Sequence, residues 1–284
     1  MASFTNQATL RYHNITTNSN VVSGEILEPL SVTKIAVTPV YSTGNDVTFA
    51  VSIVNSGATP LTSLTVTDDL GAYPFGANTL VPFEYREGSL RLFLNGVIAP
   101  TPTVMATSPL TLTGVSIPAG GNALLLYEAL PTEFAPLSAD GSITNTVTVS
   151  GDGLSTSATA QETVTPSSSP SLTVTKALSP AIVEENGRLT YTFVIQNFGN
   201  TDAEEADNAS LTDTFLPILS DLTVTLDSNA LAVGTGYTYD EATGVFSTVP
   251  GVITVPAATF VQNPDTGVIE TVPGSVTLTV VGTV

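Results

Sequence analysis

The 284-residue sequence has no cysteine, no tryptophan and a single histidine, His13. Without cysteine there is no disulfide, no thiolate metal site and no cysteine nucleophile. One histidine argues against a Ser-His-Asp triad and against a multi-histidine metal centre. Only six lysines and arginines stand against 25 aspartates and glutamates, a formal charge of −19. Six cations cannot neutralise a phosphate track, so nucleic acid is not an expected partner, and anionic membranes are disfavoured on the same ground. No apolar run is long enough to span a bilayer. No Gly-Lys-Ser/Thr phosphate loop exists. The opening Met1-Ala2-Ser3-Phe4-Thr5-Asn6 has neither a basic nor an apolar signal region, so synthesis in the cytoplasm without a leader is expected. No metal or cofactor is implied. Acids are plentiful enough to leave a paired-carboxylate glycosidase open, although the lack of tryptophan speaks against sugar platforms.

What is present is strand chemistry. Hydrophobic residues make up 42%, ample for a packed interior, and the length calls for two cores. Valine, threonine, isoleucine, phenylalanine and tyrosine alternate over Val47–Ile53, Ser89–Leu94, Leu189–Ile195 and Ser275–Val281. Asn95-Gly96 and Asp265-Thr266-Gly267 are turn signals between such runs. The expectation is an all-β chain of two immunoglobulin-like sandwiches in tandem.

The two halves repeat each other. Leu30-Ser31-Val32-Thr33-Lys34 matches Leu172-Thr173-Val174-Thr175-Lys176. Val54-Asn55-Ser56-Gly57 matches Gln196-Asn197-Phe198-Gly199, and Leu64–Asp68 matches Ala209–Asp213. Ile117-Pro118 is aligned with Val272-Pro273. The boundaries that follow are an N-terminal segment 1–28, a complete repeat 29–165, a Ser/Pro linker 166–170 and a second repeat 171–284. In the first repeat a closing strand, Ile143–Val149, comes late. The second repeat has no counterpart before Val284. The counterpart is at the other end: Phe4-Thr5-Asn6-Gln7-Ala8-Thr9-Leu10 matches Ile143–Val149.

A sandwich without its last strand exposes an apolar groove and unpaired backbone groups. The orphan strand, with Phe4, Asn6, Ala8 and Leu10 on one face, is the complement. It can close the second repeat of its own chain, or that of a neighbour by strand addition. The second route is head-to-tail and propagates a filament of like copies. Two domains separate Asn6 from the groove, which favours the neighbour.

Alternation also sets the facing of the charged groups. The only two lysines, Lys34 and Lys176, share the apolar faces of their strands with Val32 and Val174. Asp68 lies with Leu64 and Val66, and Asp213 with Leu211 and Phe215. Asn145 lies with Ile143, Val147 and Val149. An inward lysine, aspartate and asparagine are the ingredients of a self-formed Lys–Asn isopeptide bond. Burial favours the neutral amine and the neutral acid. The amine attacks the carboxamide carbon and ammonia leaves. The sets are Lys34, Asp68 and Asn145 in the first repeat, and Lys176, Asp213 and Asn6 in the second, with Asp68 and Asp213 as catalytic acids. Two plainer readings stay open: a buried ion pair, or lysines reaching out to the sandwich edge.

The series Val-Thr-Lys, Gly44-Asn45-Asp46-Val47-Thr48-Phe49, Val54-Asn55-Ser56-Gly57, Val66-Thr67-Asp68-Asp69-Leu70 and Thr144-Asn145-Thr146-Val147-Thr148-Val149 resembles a bacterial surface-repeat family, domain of unknown function eleven. The resemblance implies immunoglobulin-like modules of cell-envelope and appendage proteins. Related fimbrial modules form Lys–Asn isopeptide bonds, which carries over to Lys34 with Asn145 and Lys176 with Asn6. Most members are exported in long arrays with wall anchors, and this sequence departs from that. A duplicated repeat of this size is similar to the main subunit of clostridial-type spore appendages, which is made inside the mother cell. The function expected is a structural subunit of a spore or cell-surface appendage that polymerises with its own copies and other appendage proteins, and not an enzyme with turnover. The alternative is an adhesin or surface-layer module whose N-terminal strand closes its own second domain.

Overall fold

The computed structural model describes residues 2–26, 28–151, 154 and 156–284. Among the described residues the chain is all-β apart from one short 3-10 turn, Glu205–Asp207, and its strands form two β-sandwich units of immunoglobulin-like type. One unit holds the residues up to Ala135 together with Ser142–Thr165; the other holds Pro136–Gly141 and everything from Pro166 onward. No helix among the described residues is long and apolar enough to cross a membrane.

In the first unit the lysine strand, Leu30–Ala36, is the edge of a sheet. It pairs antiparallel with Val47–Asn55, followed by Asn122–Pro131, Arg91–Leu94 and Val97–Ala99. The facing sheet runs in the order Thr103–Thr107, Leu110–Ile117, Leu61–Asp68, Ile143–Ser150, Ala158–Pro166 and Val40–Tyr41. Its acid strand, Leu61–Asp68, is thus flanked on both edges. Inward positions alternate along each strand, and Phe49, Ile53, Leu64, Leu125, Val147 and Val164 fill the space between the sheets. The Asn95-Gly96 pair turns the chain with positive φ at both residues, the geometry a two-residue hairpin requires.

The second unit repeats the five-strand order of the first sheet, without a counterpart among the described residues to Phe83–Tyr85, which pairs with Asn122–Pro131 in the first. Its lysine strand, Leu172–Ser179, pairs with Arg188–Asn197, followed by Gly274–Thr283, Ser220–Leu226 and Asn229–Ala230. The facing sheet is only half there. It runs Tyr237–Asp240, Val245–Thr248 and Thr212–Thr214. The last of these is the acid strand, and among the described residues nothing pairs with its outer edge.

A buried asparagine plugs the same corner of both units. Asn55 donates to the carbonyls of Thr59, Ile117 and Pro118 and accepts from the Gly57 amide. Asn197 donates to the carbonyls of Thr201 and Val255 and accepts from the amides of Gly199 and Ser171. These bonds correct one alignment: the partner of Ile117-Pro118 is Val255-Pro256, not Val272-Pro273. An inserted hairpin, Thr259–Gln262 with Ile269–Val272, carried the false match.

The N-terminal segment also differs from expectation. It is not one strand but a hairpin. Ala2–Asn6 pairs with Val22–Ile26, and Thr9–Tyr12 pairs with Ile15–Asn18. His13 and Asn14, both with positive φ, reverse the chain between the arms.

Candidate functional site

In the first unit the sequence-derived set converges between the sheets. Lys34 Nζ lies 2.6 Å from Asp68 Oδ2, with the side chains 0% and 2% exposed. Lys34 comes from one sheet and Asp68 from the other. The ammonium also lies over the rings of Phe49 and Tyr127, 4.9 and 5.9 Å from their centroids. Burial pushes the Lys34 amine below its ordinary value, with the Asp68 charge opposing that shift.

Asn145 lies on Ile143–Ser150, next to the acid strand. Val147 is the direct cross-strand partner of Asp68, which puts Asn145 one diagonal step away on the same face. This strand also packs against the lysine strand across the sandwich. Asn145 is fully buried. Its Nδ2 donates to Tyr127 Oη at 3.3 Å, and Tyr127 Oη donates to Asp68 Oδ2 at 2.6 Å. Its carbonyl oxygen, Oδ1, has no hydrogen-bond partner. A buried orphan of this kind costs about 1–3 kcal/mol. Few such atoms survive in folded chains, and a reactive site is one recognised reason.

Tyr127 is the residue that sequence reasoning missed. It links acid to amide, and its own proton is held tightly: burial first, then the Asp68 charge, push its phenol well above the usual range. Alternation placed it on the inward face of Asn122–Pro131, but nothing in the strand pattern distinguished it from a core aromatic. Asp46 forms a surface pair with Arg86 at 3.3 Å.

In the second unit Lys176 and Asp213 meet in a direct ion pair, again under aromatic rings. Tyr191, Phe193 and Phe215 lie within 5.7 Å of the ammonium, with Tyr191 nearest at 4.7 Å. The pair is uncovered: Lys176 is 43% exposed and Asp213 19%. Every residue of the lysine strand is exposed, whereas its counterpart is part-buried on the inward face. An open groove lies between the lysine and acid strands, lined by Leu172, Val174, Ile195, Ala209, Leu211 and Ile253. This is the place that Ile143–Ser150 fills in the first unit.

Asn6 sits on the N-terminal hairpin, together with Phe4, Ala8 and Leu10, and all four are exposed. The structure brings together Lys34, Asp68 and Asn145, and separately Lys176 and Asp213. Asn6 belongs to the unit that holds Lys34, not to the one that holds Lys176.

No family model matches the chain, and no curated protein matches it. Solved structures of similar fold include the pilus backbone of Streptococcus pneumoniae, at 9% identity over 86% of this chain and 55% of that one, TM-score 0.34. The chain thus spans about half the length of that protein. The major pilin subunit of Bacillus cereus matches at 10% identity over 96% and 73%, TM-score 0.36. A 35 kDa C-terminal fragment of the major pilin of Streptococcus agalactiae matches at 11% identity over 87% and 91%, TM-score 0.35.

Proposed function

We propose that this chain is a structural subunit that assembles head to tail with its own copies into a surface appendage, of the spore type its sequence resembles. The N-terminal strand of one copy closes the second unit of the next, and Lys–Asn isopeptide bonds lock the result. One observation carries the reading. The second unit holds the same Lys–Asp pair as the first, while among the described residues no strand pairs with the outer edge of its acid strand to bring the amide, and the match to that strand lies exposed at residues 4–10.

The chemistry is the same at both sites. A proton passes from the lysine to the aspartate, giving a neutral amine and a neutral acid with no change in net charge. The acid then polarises the asparagine carbonyl. At the first site Nζ of Lys34 attacks Cγ of Asn145. The new C–N bond forms, the Cγ–Nδ2 bond breaks, and Nδ2 leaves as ammonia with the one proton that the neutral amine gives up, relayed through Asp68. Fixed geometry in a dry core supplies the rate. The reaction occurs once per site and the acid is regenerated. At the second site Lys176, Asp213 and Asn6 of a neighbour take the same roles.

The test is one preparation examined by denaturing gel after boiling and by intact mass. The expected result is a ladder at multiples of the chain, with each unit lighter by one ammonia per bond. Asn6→Ala should abolish the ladder and keep the ammonia loss from Lys34–Asn145. A single band at full mass overturns the covalent reading. Concentration-independent monomers overturn the assembly.

A further inference from the structure

We infer that the donated element is the whole N-terminal hairpin, not a single strand; this rests on the assembly proposed above and specifies its interface. The second unit lacks more than the amide strand. In the first unit the sheet continues past the acid strand through Ile143–Ser150 and then Ala158–Pro166, themselves an antiparallel pair joined by a short connection. The second strand of that pair contributes Val164, fully buried, to the core. In the second unit both positions are empty among the described residues. A single inserted strand would cover the acid strand and leave its own far edge bare.

The N-terminal hairpin is built as that missing pair. Cross-strand partners share a face, and in Ala2–Asn6 with Val22–Ile26 the two faces differ in kind. Phe4 and Asn6 lie opposite Gly24 and Val22; Ser3 and Thr5 lie opposite Glu25 and Ser23. One face is apolar around Asn6, and the other is polar. Further along, Leu10 and Tyr12 lie opposite Thr17 and Ile15. Phe4 and Val22 are 53% and 55% exposed, so about half of each side chain on the apolar face lies open. Phe4 lies across Gly24, where any side chain would collide with its ring. Each hairpin also leads through proline into a lysine strand: Pro29 precedes Leu30, as Pro166 and Pro170 precede Leu172. The junction between two copies would then repeat the junction within one copy. The occupant is therefore a second copy, offering both arms.

The absence of cysteine from the sequence makes the test clean. Thr5 and Ser23 are direct cross-strand partners on the polar face, within the Cα separation that a disulfide spans. In the Thr5→Cys/Ser23→Cys chain, oxidation staples the hairpin shut. Donation of the whole hairpin predicts boiling-resistant oligomers in the oxidised chain within about twofold of the unmodified yield. If oligomers form only after reduction, the hairpin must open, and single-strand donation replaces this inference. If neither the reduced nor the unmodified chain forms oligomers, the underlying assembly falls with it. A second pair of variants guards against misfolding. Gly24 lies opposite Phe4 as the fully buried Val164 lies opposite Ile143, so Gly24→Asp puts a charge at a position the first unit buries and should lower the yield about tenfold or more under whole-hairpin donation. Ser23→Asp, on the polar face of the same arm, should not. Equal yields from those two overturn the inference. Ammonia loss from Lys34–Asn145 in each variant reports that the first unit has folded.

Discussion

The two units hold the same lysine–aspartate pair in opposite states. Lys34 and Asp68 are sealed between sheets, with Tyr127 and Asn145 completing the cluster. Lys176 and Asp213 sit at the lip of a groove. Behind each pair five strands follow the same order, although Phe83–Tyr85 adds a sixth in the first unit and Val280 stands in the second where Tyr127 stands in the first. The larger difference lies in the facing sheet and in the strand that carries the amide. Burial, and with it the chemistry, belongs to the closed sandwich and not to the pair itself. Closing the second unit should turn its pair into a copy of the first.

The largest break in this comparison comes from removing each amide. The proposed isopeptide bond between Lys34 and Asn145 would tie the two sheets and close a loop of about 100 residues, which by unfolded-state entropy is worth about 4–5 kcal/mol. Asn145→Ala should therefore lower the unfolding free energy of the monomer in urea by that much and leave its mass at the full value for the substituted sequence, with no ammonia lost. Asn6→Ala should leave the stability of the monomer unchanged, because its bond exists only between copies. Equal effects from the two variants would dismiss the asymmetry.

Removing each lysine in an Asn145→Ala chain sets the bond aside and tests burial alone. Lys34→Met leaves Asp68 in the core without its counter-ion, at about 3–5 kcal/mol. Lys176→Met breaks a pair that water already screens and should cost no more than about 1 kcal/mol. Chemical denaturation of both chains gives the ratio.

Tyr127→Phe is subtler. It strips Asp68 of a donor and Asn145 of its acceptor, and a buried group left unpaired costs about 1–3 kcal/mol. Folding should survive. Ammonia loss in freshly synthesised chain, followed by intact mass, should slow by about tenfold or more, since small misplacements of a reacting group cost up to about 100-fold. The second unit has no such tyrosine on the equivalent strand: Val280, the partner of Tyr191, stands where Tyr127 pairs with Phe49. Its ladder should be unaffected by the substitution.

Much of this was legible in the sequence. Period-two alternation gave the strands, and inward facing gave Lys34, Asp68 and Asn145 as one cluster. Short motif matches gave the repeat and its missing strand. Three features were not legible, each for a physical reason. Pairing is non-local, so two arms of a hairpin read as one strand and a tail until the His13-Asn14 turn is seen to fold them together. An inserted hairpin brought Val272-Pro273 to the position a local match would choose, and only the Asn197 hydrogen bonds reveal the true counterpart. Tyr127 reaches the site from the middle of an apolar strand, where its hydroxyl leaves no trace in the pattern.

The smallest effect is also the most specific to the first unit, and it is read against pH in the Asn145→Ala chain. Burial holds the Lys34 amine below its ordinary 10.5, so between that lowered value and 10.5 the unfolded chain binds more protons than the folded one. Stability therefore rises with pH across that window. Tyr127 acts in the opposite sense. Burial and the Asp68 charge raise its phenol, so above the ordinary 10.0 the folded chain keeps a proton that the unfolded chain releases, and stability falls. The two limbs predict a maximum on the alkaline side, near pH 10, in thermal melts taken at constant ionic strength. Adding Lys34→Met should flatten the rising limb, and adding Tyr127→Phe should soften the falling one. A rising limb that survives the loss of Lys34 would mean that the sealed pair behaves as an exposed one, and the contrast between the two units would lose its electrostatic basis.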